Sequence, residues 1–226
     1  PHLHFEIRSS VSEKPTNPLL YGLDVPDRTN PVLSSLYVYP LDDNSEVNRS
    51  DDKIELKFSK QSDGTYLAEK VYASGTIGFG INSFDRQDMA ANQNGLYKVQ
   101  MLVNGKTYLD YDLESFSFGE TRYINTLIDY KHFGTYRQRI QRLYKTPRNI
   151  MSIYKENFNE GKINVSEGLS YSVDILMKDI KDNTTKITIP VEGKKEAIKI
   201  NKKDEKTDTY LIAKKPNTFD LGAAQV

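Results

Sequence analysis

The sequence predicts a mainly β fold, and three features lead to that prediction. Short runs of alternating apolar and polar residues recur between turn signals, a pattern typical of an antiparallel sandwich. Tyrosine is abundant, with 15 residues, and lies among many Val, Ile and Thr, which favour strands. Asn104-Gly105 separates two alternating runs, and this dipeptide supplies the positive φ angles of a type I′ hairpin. We therefore expect an immunoglobulin-like β-sandwich.

The first predicted element is a strand over residues 2–8, in which apolar and polar side chains alternate. Its apolar face carries Leu3, Phe5 and Ile7, and its polar face carries His2, His4, Glu6 and Arg8. A proline-rich connector follows in residues 13–18 and 25–31, because prolines and turn residues there interrupt regular pairing. We place a domain boundary near residue 30, which separates residues 1–30 from a sandwich over residues 31–192.

The sandwich is predicted to contain eight strands and one helical insertion. The strands cover residues 35–39, 53–58, 76–84, 97–103, 107–113, 151–154, 171–177 and 185–191. The insertion covers about residues 116–149, and within it the segment 136–145 is predicted to be helical. Its apolar residues are spaced i, i+4, i+7 and i+8, as on one helix face: Tyr136, Ile140, Leu143 and Tyr144. Residues 193–226 are predicted to be a lysine-rich linker and the start of a further strand unit.

Composition excludes several classes of site. Thirty-one basic and 31 acidic residues balance, so we expect no nucleic-acid partner. The absence of cysteine excludes disulfides, thiolate metal sites and cysteine nucleophiles. No apolar run is long enough for a transmembrane segment.

His2 and His4 form the one pattern in the sequence that carries clear chemistry. Side chains at i and i+2 of a strand emerge roughly 7 Å apart on the same face, so both imidazoles can converge on one metal and its water. The arrangement suits either of two roles: both histidines are metal ligands, or one is a ligand and the other is a general base that acts on the bound water.

The stretch Pro1-His2-Leu3-His4-Phe5-Glu6-Ile7-Arg8, followed by Asn17-Pro18-Leu19-Leu20-Tyr21, resembles the end of the catalytic domain of lysostaphin/LytM-type zinc endopeptidases. The resemblance covers about the first 21 residues. It implies that His4 is a Zn²⁺ ligand, that His2 orients or deprotonates the attacking water, and that residues 1–30 end a peptidase domain. It also implies a peptidoglycan peptide substrate and a periplasmic or secreted location in the cell envelope.

The family's two other zinc ligands come from an upstream HxxxD motif, and no such pair occurs in this sequence. We therefore expect a larger parent enzyme with further sequence before Pro1, and a fragment that is inactive alone. The alternative is a β-sandwich that binds or scaffolds an envelope protein partner, or that activates wall hydrolases.

Two further patterns admit structural and functional interpretations. Residues 131–155 carry seven Lys or Arg and no acidic residue, which indicates either an anion-binding patch or a helix whose cations pair with Asp110, Asp112 and Glu114. Acidic pairs such as Asp85 with Asp88 and Asp179 with Asp182 lack the periodicity of a calcium loop. We interpret them as turn residues.

Overall fold

The structure is a computed structural model that describes residues 5–23 and 25–194. His2 and His4 lie outside the described residues, as does nearly all of the predicted linker and strand unit at 193–226. In the described part, strands account for 44% and helices for 13%, which confirms the mainly β class. No helix among these residues is long and apolar enough to cross a membrane.

Fifteen strands are present in the described residues. In chain order they are β1 Ile7–Arg8, β2 Pro15–Thr16, β3 Val32–Pro40, β4 Glu46–Val47, β5 Ile54–Leu56, β6 Phe58–Lys60, β7 Tyr66–Ala68, β8 Val71–Phe84, β9 Lys98–Val103, β10 Lys106–Asp112, β11 Gln141–Arg142, β12 Tyr154–Glu156, β13 Ile163–Val165, β14 Ser170–Lys178 and β15 Thr184–Gly193. The α-helices are α1 Ile124–Leu127 and α2 Tyr130–Tyr136, and the 3-10 helices are Pro18–Tyr21, Phe118–Tyr123 and Phe158–Gly161.

The long strand β8 joins two groups of strands into one mixed sheet. Its first residues pair with β15 and β4, and β15 continues the order through β14, β9 and β10 to β12. Its later residues pair with β3, β11 and β13. Between the two groups lies Gly75 at φ 74°, where an added Cβ would lie 2.5 Å from the Ser45 hydroxyl. Glycine therefore permits both the positive φ and the close approach.

One hydrophobic core unites the two groups of strands. Alternate residues of β9 and β14 are fully buried, as are residues of β8 such as Phe79 and Ile81. Apolar side chains of both groups are thus removed from water together. The finer immunoglobulin-like topology stays a prediction, and so does the domain boundary near residue 30.

The hairpin prediction is confirmed in detail. β9 and β10 are antiparallel, Val103 pairs with Lys106, and Asn104 and Gly105 have φ values of 49° and 79°. Both turn residues are thus left-handed, as a type I′ turn requires.

Two predicted elements are wrong in position. The helix predicted over 136–145 is absent, because α2 ends at Tyr136 and Arg137 follows in the left-handed conformation. The chain then becomes extended, and β11 pairs with β8. Ile140 and Tyr144 pack in one small cluster, whereas Leu143 enters the main core. A spacing of four places residues on one face of a strand as well as of a helix, so the apolar pattern was ambiguous.

The strand predicted over 151–154 begins only at Tyr154, as β12. Met151 and Ile153 are buried, but they lie in an irregular segment and a turn rather than in a strand. Burial without regular pairing explains the error, because apolar residues alone do not specify a strand.

Candidate functional site

The described residues that follow His2 and His4 form a short hairpin. β1 and β2 are antiparallel, with Ile7 opposite Thr16, and the Thr16 hydroxyl donates to the Ile7 carbonyl at 3.2 Å. Of the strand predicted over residues 2–8, only Ile7–Arg8 is a strand among the described residues, and Phe5 is exposed.

The Asn17-Pro18-Leu19 sequence forms a capped turn. The Asn17 side chain accepts a hydrogen bond from the Leu19 amide at 3.1 Å, and Pro18 opens the 3-10 helix. Gly22 ends this helix at φ 80°. Each residue adopts the role for which its type is favoured, as an N-cap, a first helical residue and a left-handed C-cap.

The hairpin and its turn are bound to the segment that follows β10. The Asn17 amide donates to the Glu114 carbonyl at 2.9 Å, and the Ser115 hydroxyl donates to the Pro15 carbonyl at 3.0 Å. The Arg8 guanidinium lies 4.9 Å from the centre of the Phe118 ring. We call these contacts the hairpin clasp. They hold the strand that begins three residues after His4.

His132, the one histidine in the described residues, is fully engaged in a polar network. Its Nδ1 lies 3.0 Å from the Lys53 ammonium, and its Nε2 lies 2.9 Å from the Gln138 amide oxygen. Since an ammonium can only donate, the network assigns Nδ1 as the acceptor and Nε2–H as the donor. Both nitrogens are therefore used, and His132 offers no zinc ligand.

Asp129 is the centre of this network, and its side chain is buried. Its carboxylate accepts from the Lys53 ammonium at 2.6 Å, from the Tyr39 hydroxyl at 3.0 Å and from the His132 amide at 3.1 Å. Arg142 lies 3.4 Å away. Burial favours the neutral acid, but these donors outweigh it and hold the pKa of Asp129 below its ordinary value.

Some cations of the basic stretch 131–155 pair with acidic residues elsewhere in the chain. Lys155 contacts Asp112 and Glu114, as the structural interpretation expected, whereas Arg142 pairs with Asp129. Asp110 pairs with Lys98, which lies outside the stretch. Lys155 and Arg142 therefore have different acidic partners, and their contacts do not converge on one anion site.

Three aspartates from distant parts of the sequence meet at one end of the sheet. Asp85 follows β8, Asp179 follows β14, and Asp27 lies in the connector. One carboxylate oxygen from each lies within 4.8 Å of the others. Asp85 and Asp179 are only 5% and 3% exposed. We call these residues the aspartate cluster.

The three carboxylates differ in how their oxygens are satisfied. Asp179 accepts from the amides of Lys181 and Asn183 and from the Asn183 side chain, so it is a turn residue as expected. Asp27 accepts from the Thr29 amide through Oδ1 only. Asp27 Oδ2 and Asp85 Oδ1 are buried without a hydrogen-bond partner in the described part of the chain.

The electrostatics of the aspartate cluster follow from this arrangement. Burial raises the pKa of Asp85 to about 6, and the charges of Asp27 and Asp179 act in the same direction. Burial also raises the pKa of Asp27. The carboxylates border a cavity of about 240 Å³, which amide side chains also line: Asn17, Gln87 and Asn94. This site has oxygen donors and negative charge but little internal compensation.

Sequence reasoning missed the aspartate cluster because its members belong to separate pairs in the sequence. Asp85 and Asp179 each have a nearer acidic neighbour in the sequence, Asp88 and Asp182, and Asp27 lies in the connector. Their proximity depends on contacts between distant segments, such as the hydrogen bond from the Asn183 side chain to the Asp27 carbonyl, which no local pattern reveals. Comparisons with protein-family models, curated proteins and solved structures found no match for this chain.

Proposed function

We propose that the chain is the C-terminal part of a zinc metalloendopeptidase of the lysostaphin type that hydrolyses peptidoglycan peptides in the cell envelope. The observation that carries the proposal is the HxH sequence at residues 1–8 together with the Asn-Pro-Leu turn at residues 17–19. The capped geometry of that turn supports the proposal, because each motif residue has a clear conformational role.

In this proposal His4 is a zinc ligand and His2 orients or deprotonates the attacking water. Bound zinc would lower the pKa of that water and polarise the scissile carbonyl. The remaining ligands would come from an upstream His and Asp, so the chain of 226 residues should be inactive alone. None of the described residues takes a catalytic role, and the enzyme would act in a periplasmic or secreted setting.

The β-sheet body would then serve as an accessory domain that braces the catalytic strand. The hairpin clasp supports this role, since main-chain and side-chain hydrogen bonds tie residues 15–17 to residues 114–115. In this proposal, a strand that is fixed three residues after His4 would help to orient the His2 and His4 imidazoles. Orientation matters strongly for catalysis.

A non-catalytic module is the second candidate. The observation that favours it is the lack of any HxxxD pair in the sequence, because one ligand histidine does not hold zinc on its own. Such a module would bind or scaffold an envelope protein partner or activate a wall hydrolase. Zinc content and hydrolysis by the natural full-length protein separate the two candidates.

The test measures zinc stoichiometry and hydrolysis of stem or cross-bridge peptides by the natural full-length protein and its variants. We expect His4→Ala to lose both zinc and activity. His2→Ala should lose activity and retain most of the zinc.

His132→Gln is the matched control, because it changes the third histidine of the chain within a network that holds no metal ligand. It should retain a full zinc complement. Full zinc and activity in His4→Ala would refute the assignment, and so would a wild-type protein that neither binds zinc nor cuts peptides.

A further inference from the structure

We propose that Asp27, Asp85 and Asp179 form a binding site for one divalent cation of the calcium class. This inference is independent of the peptidase proposal, because it concerns residues that have no part in zinc binding. The site would join the connector to the ends of β8 and β14.

The spacing of the carboxylates suits a single ion. Calcium–oxygen distances are about 2.3–2.6 Å, so two oxygens on opposite sides of one ion are about 5 Å apart. The three donor oxygens of the aspartate cluster all lie within 4.8 Å of one another. One ion can therefore contact all three.

A second observation points to a ligand, beyond the clustering of acidic residues. Asp85 is 5% exposed, and its Oδ1 has no hydrogen-bond partner among the described residues; the same holds for Asp27 Oδ2. Burying an unpaired carboxylate is costly, and proteins avoid it by pairing, metal binding or protonation. Both residues line the same cavity.

Neighbouring charges do not replace a bound cation. The Asp88 carboxylate adds a fourth negative charge nearby, and its Oδ1 accepts from the Arg28 amide and the Thr29 hydroxyl. The positive charge of Lys181 acts on Asp27, but it is the weakest of the influences on that carboxyl. Lys181 at Asp27 and Arg28 at Asp88 thus oppose four carboxylates, so the sum of these charges stays negative.

The donor set favours calcium over zinc or magnesium. Every candidate donor is oxygen, which hard cations prefer, whereas zinc sites use mainly nitrogen and sulfur. Magnesium is usually bound through one or two carboxylates in near-octahedral geometry. Three carboxylates from three separate segments, beside a cavity of about 240 Å³ with room for water, fit the larger and more adaptable calcium shell.

The proposed role of the cation is to stabilise the fold. Asp27 belongs to a connector that side-chain hydrogen bonds already tie to the rest of the chain, such as Asn183 Nδ2 to the Asp27 carbonyl at 3.2 Å and the Thr185 hydroxyl to the Pro31 carbonyl at 2.5 Å. A cation shared by the connector and the sheet would cross-link them. Binding would therefore stabilise the folded chain, since the unfolded chain has no such site.

The test titrates Ca²⁺ into the chelator-treated chain of 226 residues by calorimetry and follows its melting temperature. We expect a dissociation constant of about 1 mM or below, and a rise in melting temperature of at least about 3 °C at 10 mM Ca²⁺. Magnesium at the same concentration should produce a smaller rise. No calcium-dependent shift in the wild type, or an equal shift with magnesium, would overturn the proposal.

The decisive variant is Asp85→Asn, which keeps the shape of the side chain and removes its charge. Calcium affinity should fall at least about tenfold, while the melting temperature in chelator should stay the same or rise, which excludes misfolding as the cause. Asp182→Asn is the matched control. It removes a charge from the turn that contains Asp179, at a residue with φ 66°, a conformation that asparagine tolerates. Equal calcium responses in wild type and Asp85→Asn would refute the site.

Discussion

The Asp129 network and the aspartate cluster both contain deeply buried carboxylates, yet they satisfy them in opposite ways. Asp129 is 4% exposed and meets two cations and two neutral donors. Asp85 is 5% exposed, and one of its oxygens meets no donor while two further carboxylates lie nearby. Equal burial therefore coexists with opposite shifts of pKa, lowered for Asp129 and raised for Asp85.

The difference teaches that burial alone does not define the role of a buried acid. Where the protein supplies its own cations, the carboxylate acts as a structural cross-link, here between α2 and the start of β5. Where the protein supplies more carboxylates, the charge needs a proton or an external cation. The same chemical change in the two regions should therefore have opposite effects on stability.

The largest expected effect is the loss caused by Asp129→Asn. The substitution removes the buried negative charge that Lys53 and Arg142 face, and it leaves these two half-buried cations without their partner. We expect the free energy of unfolding to fall by about 3 kcal/mol, as for other broken buried ion pairs. Urea unfolding measures the change. A loss within about 0.5 kcal/mol, equal to that of a surface substitution, would contradict the central role of Asp129.

The corresponding change in the other region, Asp85→Asn, should stabilise the protein in the presence of a chelator. It removes a buried charge that Asp27 and Asp179 repel, and its amide can donate to either of them. The shift of the pKa from 3.8 to about 6 corresponds to about 3 kcal/mol at about 1.4 kcal/mol per unit. Because the buried amide of asparagine keeps part of the cost of burial, we expect a gain of about 2 kcal/mol by urea unfolding at neutral pH. A clear loss of stability would show that the aspartate cluster is satisfied without a cation.

The pH dependence should also separate the regions. The folded pKa of Asp85, about 6, exceeds its ordinary value of 3.8, so the folded state binds the proton more tightly. Its contribution therefore favours folding at low pH and is lost as pH rises from 3.8 to about 6. The advantage of Asp85→Asn in chelator should disappear below that window. The contribution of Asp129 to stability has the opposite pH dependence. Because its pKa is lowered, it stabilises the fold above about pH 4.

Thermal melts of wild type and Asp85→Asn across pH 3.5–7.5 give the difference directly. A constant difference over this range would contradict the assignment of the titration to Asp85.

The smallest expected effects lie at the tyrosines of the Asp129 network. Tyr39→Phe removes a hydroxyl that donates to the buried carboxylate at 3.0 Å, and we expect a loss of about 1.5 kcal/mol. Tyr37→Phe is the matched control, because its hydroxyl also donates to a carboxylate, at 3.1 Å, but that carboxylate belongs to Glu55, which is exposed. Its loss should be smaller. Equal losses in urea unfolding would indicate that the burial of Asp129 adds nothing to the hydrogen bond.

The sequence predicts much of this fold because its strongest signals are local. The turn at Asn104-Gly105 has the φ angles that its residue types favour, and seven of the eight predicted strands overlap strands of the structure closely. The segment after Tyr136 is a strand and not the predicted helix, because its i, i+4 and i+8 positions share one face of a strand as well as of a helix, and only Leu143 at i+7 does not. Tertiary pairing of β11 with β8 decided between them.

The site predictions show the same contrast between local and non-local features. The Asn17 turn follows from adjacent residues, and its capping geometry is local. The aspartate cluster depends on contacts between residues 27, 85 and 179, whose separation in sequence hides them. Non-local sites of this kind emerge only when the strand order is known.

A crystal structure grown with Mn²⁺ or Tb³⁺ as a calcium substitute, with anomalous data, is the most direct test of the difference between the two regions. We expect one anomalous peak within coordination distance of Asp27, Asp85 and Asp179, and none at Asp129. Absence of the peak from the aspartate cluster at a saturating metal concentration would contradict the account.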